Sequence, residues 1–371
     1  MTAVTSHRVE FAARIGRISV YPTAAGYGDR AAAANLASNE SPEPPMPEVL
    51  AAIERALGSL HRYPDPAAGR LRERLAGRYG VPVARIAVGN GSCDLLLAAG
   101  EALLEPGAEV VYGWPSFSVY PHLAAAAGAR AVAVPLDDAE RLDLDTIAAE
   151  ITAATRLVIV CNPNNPTSTA LPLEAIEAML GRIPPHVAVV LDEAYCEFNL
   201  LADPDDSIAL LAGHPNLMLL RTFSKVYGLC GLRIGFALCG SEALKRALDK
   251  VRQPFSCNAL AQAAAIEALA HTDEVTRRVE RTLARRIGLQ EGLAALGLKH
   301  AESQANFVWV TLPEWCEEDA IVAGLSARGV LVRAGGALGR ERALRVTVGT
   351  ERENRLFLEA LAELLAQPQA A

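Results

Sequence analysis

The stretch NLMLLRTFSKVYGLCGLRIG, residues 216–235, joins a buried strand to a concentration of reactive side chains. Its first half is a short, nearly continuous apolar run, typical of a strand covered on both faces. Thr222 and Ser224 close this run, Lys225 follows at once, and Arg233 comes eight residues later. A lysine at the end of a buried strand, near an arginine, is typical of an amine nucleophile beside an anion site. A solvated loop lysine is the simpler alternative, which the neighbouring glycines and apolar residues disfavour.

On both sides of this stretch, short apolar runs alternate with helical patterns. The strands are predicted at RIAVGNG, AEVVYG, ARAVAVPL, RLVIVCNP, VAVVLDEAY, NLMLLRTFS and LRIGFALCG. Nearly continuous apolar strands separated by helices predict the α/β class, with a large doubly wound domain built on a mostly parallel sheet.

Three parts are predicted along the chain. An irregular N-terminal arm with a short helix covers residues 1–35, and the large domain covers 60–270. Residues 36–59 together with 271–371 are assigned to a smaller α+β domain, because from Ser303 short strands such as NFVWVTL and LRVTVGT surround helices. A long helical stretch, rich in Ala, Glu and Arg, is predicted from Ala259 to Leu296.

Composition excludes several classes of protein. The 371 residues are 51% hydrophobic and carry a net charge of -8 without a basic tail, which disfavours binding to nucleic acid or anionic membranes. Seven scattered cysteines without a C-x-x-C pair argue against a disulfide framework or a structural zinc site, and they indicate a reducing cytoplasm. No apolar run reaches the roughly 18 residues of a membrane span, and the N-terminus lacks the apolar run of a signal peptide.

Other polar residues follow the remaining strands, and open α/β sheets bind ligands at that edge. The loop Gly89-Asn90-Gly91-Ser92-Cys93-Asp94 opens a helix, so its backbone N–H groups can bind a phosphate. A simple tight turn explains the loop equally well. A dinucleotide fingerprint does not fit, since Asp94 stands where its third glycine should be.

The other strand ends supply an acid, a phenol, an amide and an aromatic ring. Asp192 ends a run that should be a buried central strand, and Tyr195 follows it. A carboxylate there is costly unless a cation or strong donor meets it. Asn165 lies in the stiff loop CNPNNPT, where Asx-turn chemistry is the alternative, and Phe117 follows another strand, where ordinary core packing is the alternative. Jointly these groups meet the requirements of pyridoxal phosphate, which needs an amine, an anion site, a carboxylate for its ring nitrogen, a donor for its phenolate oxygen and an aromatic face.

These motifs resemble those of the fold-type I pyridoxal-phosphate aminotransferases. Within them the chain is similar to the histidinol-phosphate aminotransferase branch, which includes related aromatic amino acid aminotransferases. The resemblance covers nearly the whole chain through NLASNESP, HRYPDP, CNPNNPT, LDEAY, RTFSKVYGLCGLRIG, VRQPFSCN, SQANFVWV and LRVTVGT.

The resemblance implies a cofactor role for each matched residue. Lys225 would form the Schiff base with the cofactor and move the proton, and Asp192 would pair with the pyridinium. Tyr195 and Asn165 would bond the phenolate oxygen, and Phe117 would stack on the ring. The implied phosphate ligands are the backbone of Ser92 and Cys93, with Thr222, Ser224 and Arg233.

On the substrate side, the resemblance implies that Arg345 holds a carboxylate through a two-pronged pair. Tyr21, Asn39 and Arg333 are further predicted substrate-binding residues, although a surface position explains Arg333 equally well. The family forms homodimers, so Tyr63 is expected to reach the cofactor phosphate of the other subunit.

One departure from the family pattern concerns the loop after Asn165. Ser168 stands where the family has glycine, which permits a backbone conformation that serine tolerates poorly. The loop is therefore expected to sit differently.

The predicted reaction is a ping-pong transamination between a primary amine and 2-oxoglutarate, with histidinol phosphate as the expected donor in histidine biosynthesis. Phenylalanine is the rival donor, since Arg345 suits its carboxylate and apolar residues suit its ring. Two further alternatives are a decarboxylase of the same fold acting on a threonine-phosphate-type substrate, and a transcriptional regulator. A regulator would need an added DNA-binding module, for which about 35 residues before the first motif leave little room.

Overall fold

The computed structural model describes residues 9–18, 20 and 32–366. The α-helices in this part of the chain are α1 (Pro47–Leu57), α2 (Gly69–Tyr79), α3 (Ser92–Leu103), α4 (Val119–Ala127), α5 (Leu144–Ala149), α6 (Leu173–Leu180), α7 (Leu210–Gly213), α8 (Glu242–Val251), α9 (Ala259–Ala268), α10 (Thr272–Ala295), α11 (Glu318–Ala327) and α12 (Glu351–Ala366). The strands are β1 (Ala34–Asn35), β2 (Ile86–Gly89), β3 (Glu109–Trp114), β4 (Arg130–Pro135), β5 (Thr155–Cys161), β6 (Ala188–Asp192), β7 (Leu217–Thr222), β8 (Gly235–Cys239), β9 (Lys299–His300), β10 (Phe307–Thr311), β11 (Val330–Leu331), β12 (Arg333–Ala334) and β13 (Ala343–Thr347).

The large sheet has seven strands in the order β2-β8-β7-β6-β5-β3-β4. Neighbouring strands from β7 to β4 pair in parallel, whereas β8 pairs antiparallel with both β7 and β2. The carboxyl ends of β2, β3, β5, β6 and β7 therefore share one edge with the amino end of β8. This mostly parallel α/β sheet confirms the predicted fold class.

Both faces of the large sheet are covered, as its apolar strands require. Alternate residues point to opposite sides, so Val189 and Leu191 of β6 join one core cluster while Val190 joins the other. Helices α3, α4 and α8 contribute to the second cluster, and α1, α2, α6 and α9 contribute to the first. The sheet is thereby held between two helical layers.

A second, smaller sheet lies in the C-terminal third. Its strands run antiparallel in the order β12-β13-β10-β9, and α10, α11 and α12 pack on it around the core residues Val308, Leu344 and Phe357. Strand β1 pairs in parallel with β11, which attaches the N-terminal region to this unit.

Two boundaries differ from the sequence prediction. Residues 36–59 divide between the units: Leu36 joins the small core, whereas Met46 and Val49 at the start of α1 join the first core cluster of the large sheet. The predicted helix 259–296 is two helices. Asn258 caps the start of α9 by accepting a hydrogen bond from Ala261 N at 2.8 Å. Helix α9 ends at Ala268, and His271 has a non-helical backbone directly before α10.

Within the described residues, no helix is both long enough and apolar enough to cross a membrane. The seven cysteines are all free thiols. The cytoplasmic location inferred from their spacing stays a prediction.

Candidate active site

A cavity of about 560 Å³ lies at the carboxyl edge of the large sheet, where the small sheet and residues 37–40 face it. Most of the predicted site residues line this cavity. They are Asn39, Ser92, Cys93, Phe117, Asn165, Asp192, Tyr195, Thr222, Ser224, Lys225, Arg233, Arg333 and Arg345. Side chains that are up to 306 positions apart in the sequence thus meet in one place.

The acid of the site is Asp192, the last residue of β6. Its carboxylate accepts a hydrogen bond from the Tyr120 hydroxyl at 2.9 Å and one from Ala194 N at 3.2 Å. Burial raises the pKa of Asp192 to about 6, and the hydrogen bond from Tyr120 opposes that rise. The carboxylate is therefore held in an apolar wall with few donors, a position that suits a cationic ligand.

The amine of the site is Lys225, three residues after the end of β7. Its Nζ lies 3.4 Å from the carbonyl oxygen of Ser38 and 5.4 Å from the centre of the Tyr195 ring. Burial, together with the positive charge of Arg345, lowers the pKa of Lys225 to about 8. A large fraction of this amine is unprotonated near pH 8, as a nucleophile requires.

Hydroxyl and guanidinium groups beside Lys225 form an anion pocket. Thr222 donates its Oγ1 hydrogen to Ser224 Oγ at 2.9 Å, and Arg233 Nη1 lies 3.4 Å from the same Ser224 oxygen. Arg233 adopts φ +60, an uncommon conformation for a residue with a side chain, just before β8 begins. Arg233 Nη1 also donates to the carbonyl oxygen of Cys230 at 3.1 Å. The pocket thus offers a cation and two hydroxyls to an anionic ligand.

The amino end of α3 closes the same pocket. Ser92 and Cys93 are its first residues, and Gly91 precedes them at φ +80. A Cβ atom at Gly91 would collide with Arg233 Nη2, and one at Gly235 would collide with Ser92 N. These two glycines let the helix terminus, the arginine and β8 approach closely, which places backbone N–H groups beside the guanidinium.

A phenol and two amides occupy the side of the cavity nearest the small sheet. Asn39 donates to the Tyr195 hydroxyl at 3.0 Å, and burial raises the pKa of Tyr195. Arg345 donates to Asn165 Oδ1 at 2.6 Å and to the carbonyl oxygen of Ala37 at 2.7 Å. These contacts tie the two sheets together across the cavity.

The two predicted substrate arginines are neighbours. Arg333 of β12 and Arg345 of β13 are directly opposite in the antiparallel pairing, and both are only 7% exposed. Arg333 is thus buried at the cavity and is not the surface residue that was the alternative. Residues directly opposite in an antiparallel pair project from the same face of the sheet, so both arginines lie on the face of the small sheet that borders the cavity.

Tyr63 does not line this cavity. Tyr63 is 82% exposed, and its ring stacks on Phe255 with centroids 4.6 Å apart. Tyr21 lies outside the described residues. The expected contact of Tyr63 with a second subunit stays a prediction.

Four residues at or beside the cavity were not predicted from the sequence: Tyr120, Cys161, Cys230 and Glu40. Tyr120 is fully buried near the start of α4, while the other three line the cavity. Tyr120 follows Phe117 by three residues, and its position in an apolar helix is typical of a core residue. Its ring meets the Phe117 ring edge-on, with centroids 5.8 Å apart.

The loop with the unusual serine keeps a left-handed backbone. Ser168 has φ +62, is fully buried, and donates its Oγ hydrogen to the carbonyl oxygen of Thr167 at 2.6 Å. Its own carbonyl accepts from Gln304 N at 2.7 Å. The loop therefore does not need to be displaced to accommodate serine, because Ser168 adopts the left-handed conformation that glycine would adopt at this position.

Comparison with known proteins agrees with this geometry. A family model for aminotransferase class I and II matches residues 32–361. The chain is 44% identical over 337 residues to histidinol-phosphate aminotransferase 2 of Ralstonia nicotianae, covering 91% of this chain and 90% of that protein. It is 40% identical over 346 residues to an aromatic amino acid aminotransferase of Cutibacterium acnes, covering 93% of this chain and 96% of that protein. The solved histidinol-phosphate aminotransferase of Sinorhizobium meliloti, in complex with pyridoxal 5'-phosphate, matches with a TM-score of 0.88 at 32% identity, covering 97% of this chain and 98% of that one.

Proposed function

The chain belongs to the class I and II aminotransferases, and within this family we propose that it transfers the amino group of L-histidinol phosphate to 2-oxoglutarate. This reaction would place it in histidine biosynthesis. The observation that carries the proposal is the facing pair Arg333 and Arg345 at the cavity. A dianionic phosphate in one half-reaction, and a dicarboxylic acid in the other, each use both guanidinium groups.

The cavity fits pyridoxal phosphate, the cofactor of this enzyme class. The anion pocket of Ser224 and Arg233, together with the α3 terminus, suits the cofactor phosphate. The buried carboxylate of Asp192 suits the protonated ring nitrogen, because a cation offsets the cost of burying that charge. Lys225, with its lowered pKa, suits the aldehyde. In this proposal Thr222, Ser92 and Cys93 also hold the phosphate, and Phe117 lies against the ring.

The cofactor supplies an electron sink for the bonds to the substrate α-carbon. The residues of the chain position the reactants and move protons. Lys225 Nζ carries a proton to and from the α-carbon, since it is the only amine among the described lining residues. Asn165 and Tyr195 donate toward the phenolate oxygen. Asp192 holds the proton on the ring nitrogen, which keeps the ring electron-withdrawing.

Phenylalanine is the second candidate donor. Relatives named aromatic amino acid aminotransferase match this chain about as well as those named for histidinol phosphate. The carboxylate of phenylalanine can neutralise one guanidinium, but its neutral ring would then lie beside the other charge. An apolar ring beside that guanidinium is a poorer match than an anion, which favours the phosphorylated donor.

The test compares half-reactions with one purified enzyme. Histidinol phosphate or phenylalanine is added alone, and the loss of the absorbance of the bound cofactor is followed at several concentrations. We expect a higher kcat/KM for histidinol phosphate, and a higher value for phenylalanine would overturn the assignment. In Arg333→Gln, kcat/KM should fall about 10-fold more for histidinol phosphate than for phenylalanine, because only the phosphate uses both arginines. Release of carbon dioxide without any keto acid acceptor would indicate a decarboxylase instead.

We also propose that the enzyme is a homodimer. Support comes from the exposed stacked pair Tyr63 and Phe255, since exposed apolar groups that lie together commonly mark an interface. In the proposed dimer, Tyr63 contacts the cofactor phosphate of the other subunit.

A complementation experiment tests this arrangement. If Tyr63 reaches across, a hybrid of one Lys225→Ala chain and one Tyr63→Phe chain has both lesions in one site and leaves the other site intact. Such hybrids should have about half the activity of the wild type. If Tyr63 instead serves its own chain, each site carries a lesion and the hybrid has no intact site.

A further inference from the structure

We propose that Tyr120 is a positioning residue that keeps Asp192 in its charged form and thereby holds the proton on the ring nitrogen of the cofactor. The proposal rests on the cofactor site and not on which amino donor the enzyme uses. It assigns a function to a buried tyrosine that does not line the cavity.

The contact is direct and fully buried. The Tyr120 hydroxyl lies 2.9 Å from Asp192 Oδ2, and the two residues are 0% and 5% exposed. The other carboxylate oxygen accepts from Ala194 N at a longer distance of 3.2 Å. Tyr120 thus makes the shorter of two hydrogen bonds to a carboxylate that water hardly reaches.

The direction of this hydrogen bond is fixed by chemistry. Burial and the nearby Asp192 charge raise the pKa of Tyr120 well above its usual value, so the phenol keeps its proton. A protonated phenol facing a carboxylate donates to it, which stabilises the charged form. Burial acts in the opposite direction by raising the pKa of Asp192.

Other groups near the carboxylate do not replace this donor. Glu193 raises the pKa of Asp192, and Lys225 lowers it less than Tyr120 and the backbone of Ala194 do. The titratable groups that interact with the Asp192 charge are Cys161 from β5, Tyr120 from α4, Cys93 from α3, Glu193 directly after β6, and Tyr195 and Lys225 from the loops after β6 and β7. Tyr120 is therefore the main side chain that favours the ionised acid.

Tyr120 also links the acid to the aromatic wall. The Phe117 ring, which lines the cavity, meets the Tyr120 ring at 90° with centroids 5.8 Å apart, and Tyr120 N donates to the carbonyl oxygen of Phe117 at 2.9 Å. One side chain thus supports the carboxylate for the ring nitrogen and the aromatic group for the ring face.

The chain offers a matched control for the test. Tyr112 of β3 is also buried, at 2% exposure, and its ring lies 5.9 Å from that of Tyr120. Removing either hydroxyl is the same chemical change in the same core cluster, but only the Tyr120 hydroxyl bonds Asp192. Tyr120→Phe and Tyr112→Phe are therefore compared as holoenzymes and as apoproteins reloaded with pyridoxal phosphate.

In Tyr120→Phe, pyridoxal phosphate should bind about 10- to 100-fold more weakly, as expected for the loss of a hydrogen bond to a charged group. The pH-dependent absorbance transition of the bound cofactor should move up by about one pH unit. A cofactor ring withdraws less electron density when the proton on its ring nitrogen is less firmly held. The nitrogen that joins Lys225 to the cofactor then binds its own proton more tightly, so the transition moves to higher pH. Tyr112→Phe should change the affinity less than about 2-fold and leave the transition in place.

A double-mutant cycle with Asp192→Asn separates charge from packing. Since asparagine carries no charge, adding Tyr120→Phe to Asp192→Asn should weaken cofactor binding less than about 2-fold. If the two losses multiply instead, or if Tyr120→Phe has the absorbance profile of Tyr112→Phe, the proposal is wrong. Failure of Tyr120→Phe alone to fold would also overturn it, because the hydroxyl would then serve the fold. Each measurement uses the cofactor without a donor, so its result is independent of the donor assignment.

Discussion

The two walls of the cavity are built in different ways. The large-sheet wall, which comprises Asp192, Thr222, Ser224, Lys225 and Arg233, lies at or just beyond the ends of neighbouring strands. The small-sheet wall, which comprises Asn39, Arg333 and Arg345, depends on contacts between distant parts of the chain. Asn39 N, for example, donates to Thr347 Oγ1 at 2.8 Å across 308 positions. In the proposed function, the cofactor would be held by the wall that strand register fixes, and the substrate by the wall that tertiary packing assembles.

The walls are nevertheless coupled through Arg345. It donates to Asn165 on the large-sheet side, and its charge helps to lower the pKa of Lys225. Variants that act on one wall, and variants that act across the cavity, therefore test how independent the two are.

The largest effect is expected on the large-sheet wall, from Lys225→Ala. Loss of both the covalent attachment point and the proton carrier should lower kcat by on the order of 10⁴-fold. Lys245→Ala is the matched control, since Lys245 is also buried but pairs with Asp249 on α8, and its turnover should stay near that of the wild type. Borohydride reduction and peptide mapping should place the pyridoxyl label on Lys225. A label on Lys245, Lys250 or Lys299 would contradict the assignment.

A paired substitution separates the functions of the walls. Arg345→Lys loses the two-pronged geometry and should lower kcat/KM by about 10- to 100-fold, mainly through KM, with nearly unchanged cofactor affinity. Arg233→Lys should show the opposite pattern, with weaker cofactor binding and nearly unchanged KM once the enzyme is loaded. Steady-state kinetics and cofactor titration of both variants measure the split. Equal effects of both variants on both quantities would mean that the walls do not act separately.

The pH dependence of cofactor attachment tests the coupling through Arg345. Because burial and Arg345 lower the pKa of Lys225 to about 8, the attachment rate to the apoenzyme should rise about 20-fold from about pH 6.5 to about pH 8.5 and then level off. Stopped-flow absorbance measures this rate. In Arg345→Met the midpoint should move to higher pH, since removing a nearby cation favours the protonated amine. An unchanged midpoint would show that burial alone sets the pKa.

The smallest effect concerns Ser168, whose carbonyl joins the large-sheet loop to Gln304. Ser168→Ala keeps the left-handed strain but loses the bond to the Thr167 carbonyl, so it should lower the free energy of unfolding by about 1 kcal/mol. In Ser168→Gly, relief of strain offsets the lost hydrogen bond and the greater freedom of the unfolded chain, and the change should stay within about 0.5 kcal/mol. Urea unfolding of the two apoproteins at one protein concentration compares them. A glycine variant less stable than the alanine variant would refute this explanation.

The sequence predicts the large-sheet wall well because its residues follow apolar runs directly. Asp192 and Lys225 are recognisable because each comes at or just after the end of an apolar run, and parallel strands bring their ends to one edge. The same logic misses Tyr120, because a tyrosine in an apolar helix looks like a core residue until its hydroxyl partner is known.

The small-sheet wall needed the resemblance to known enzymes and then the structure. Nothing in the local pattern places Arg333 opposite Arg345, since that pairing depends on the hairpin register of β12 and β13. Likewise, the division of residues 36–59 between two cores follows from where Leu36 and Met46 pack, which a helical pattern does not specify. For Ser168 the sequence expectation was wrong. The preference of the left-handed conformation for glycine predicts a displaced loop, but a local hydrogen bond stabilises serine in that same conformation.

The pairing of β1 with β11 has a consequence for synthesis on the ribosome. Ala34 and Asn35 emerge early, but their partners Val330 and Leu331 are translated almost 300 residues later. The large sheet, whose strands end at Cys239, has by then left the exit tunnel and can assemble, since domains generally fold as units during translation. The small-sheet wall therefore forms last, and until it does the nascent chain carries the lysine and its anion pocket open to solvent. Assembly of the large sheet shortens the flexible chain between β1 and β11, so the closing of this pair depends on the sheet that folds before it.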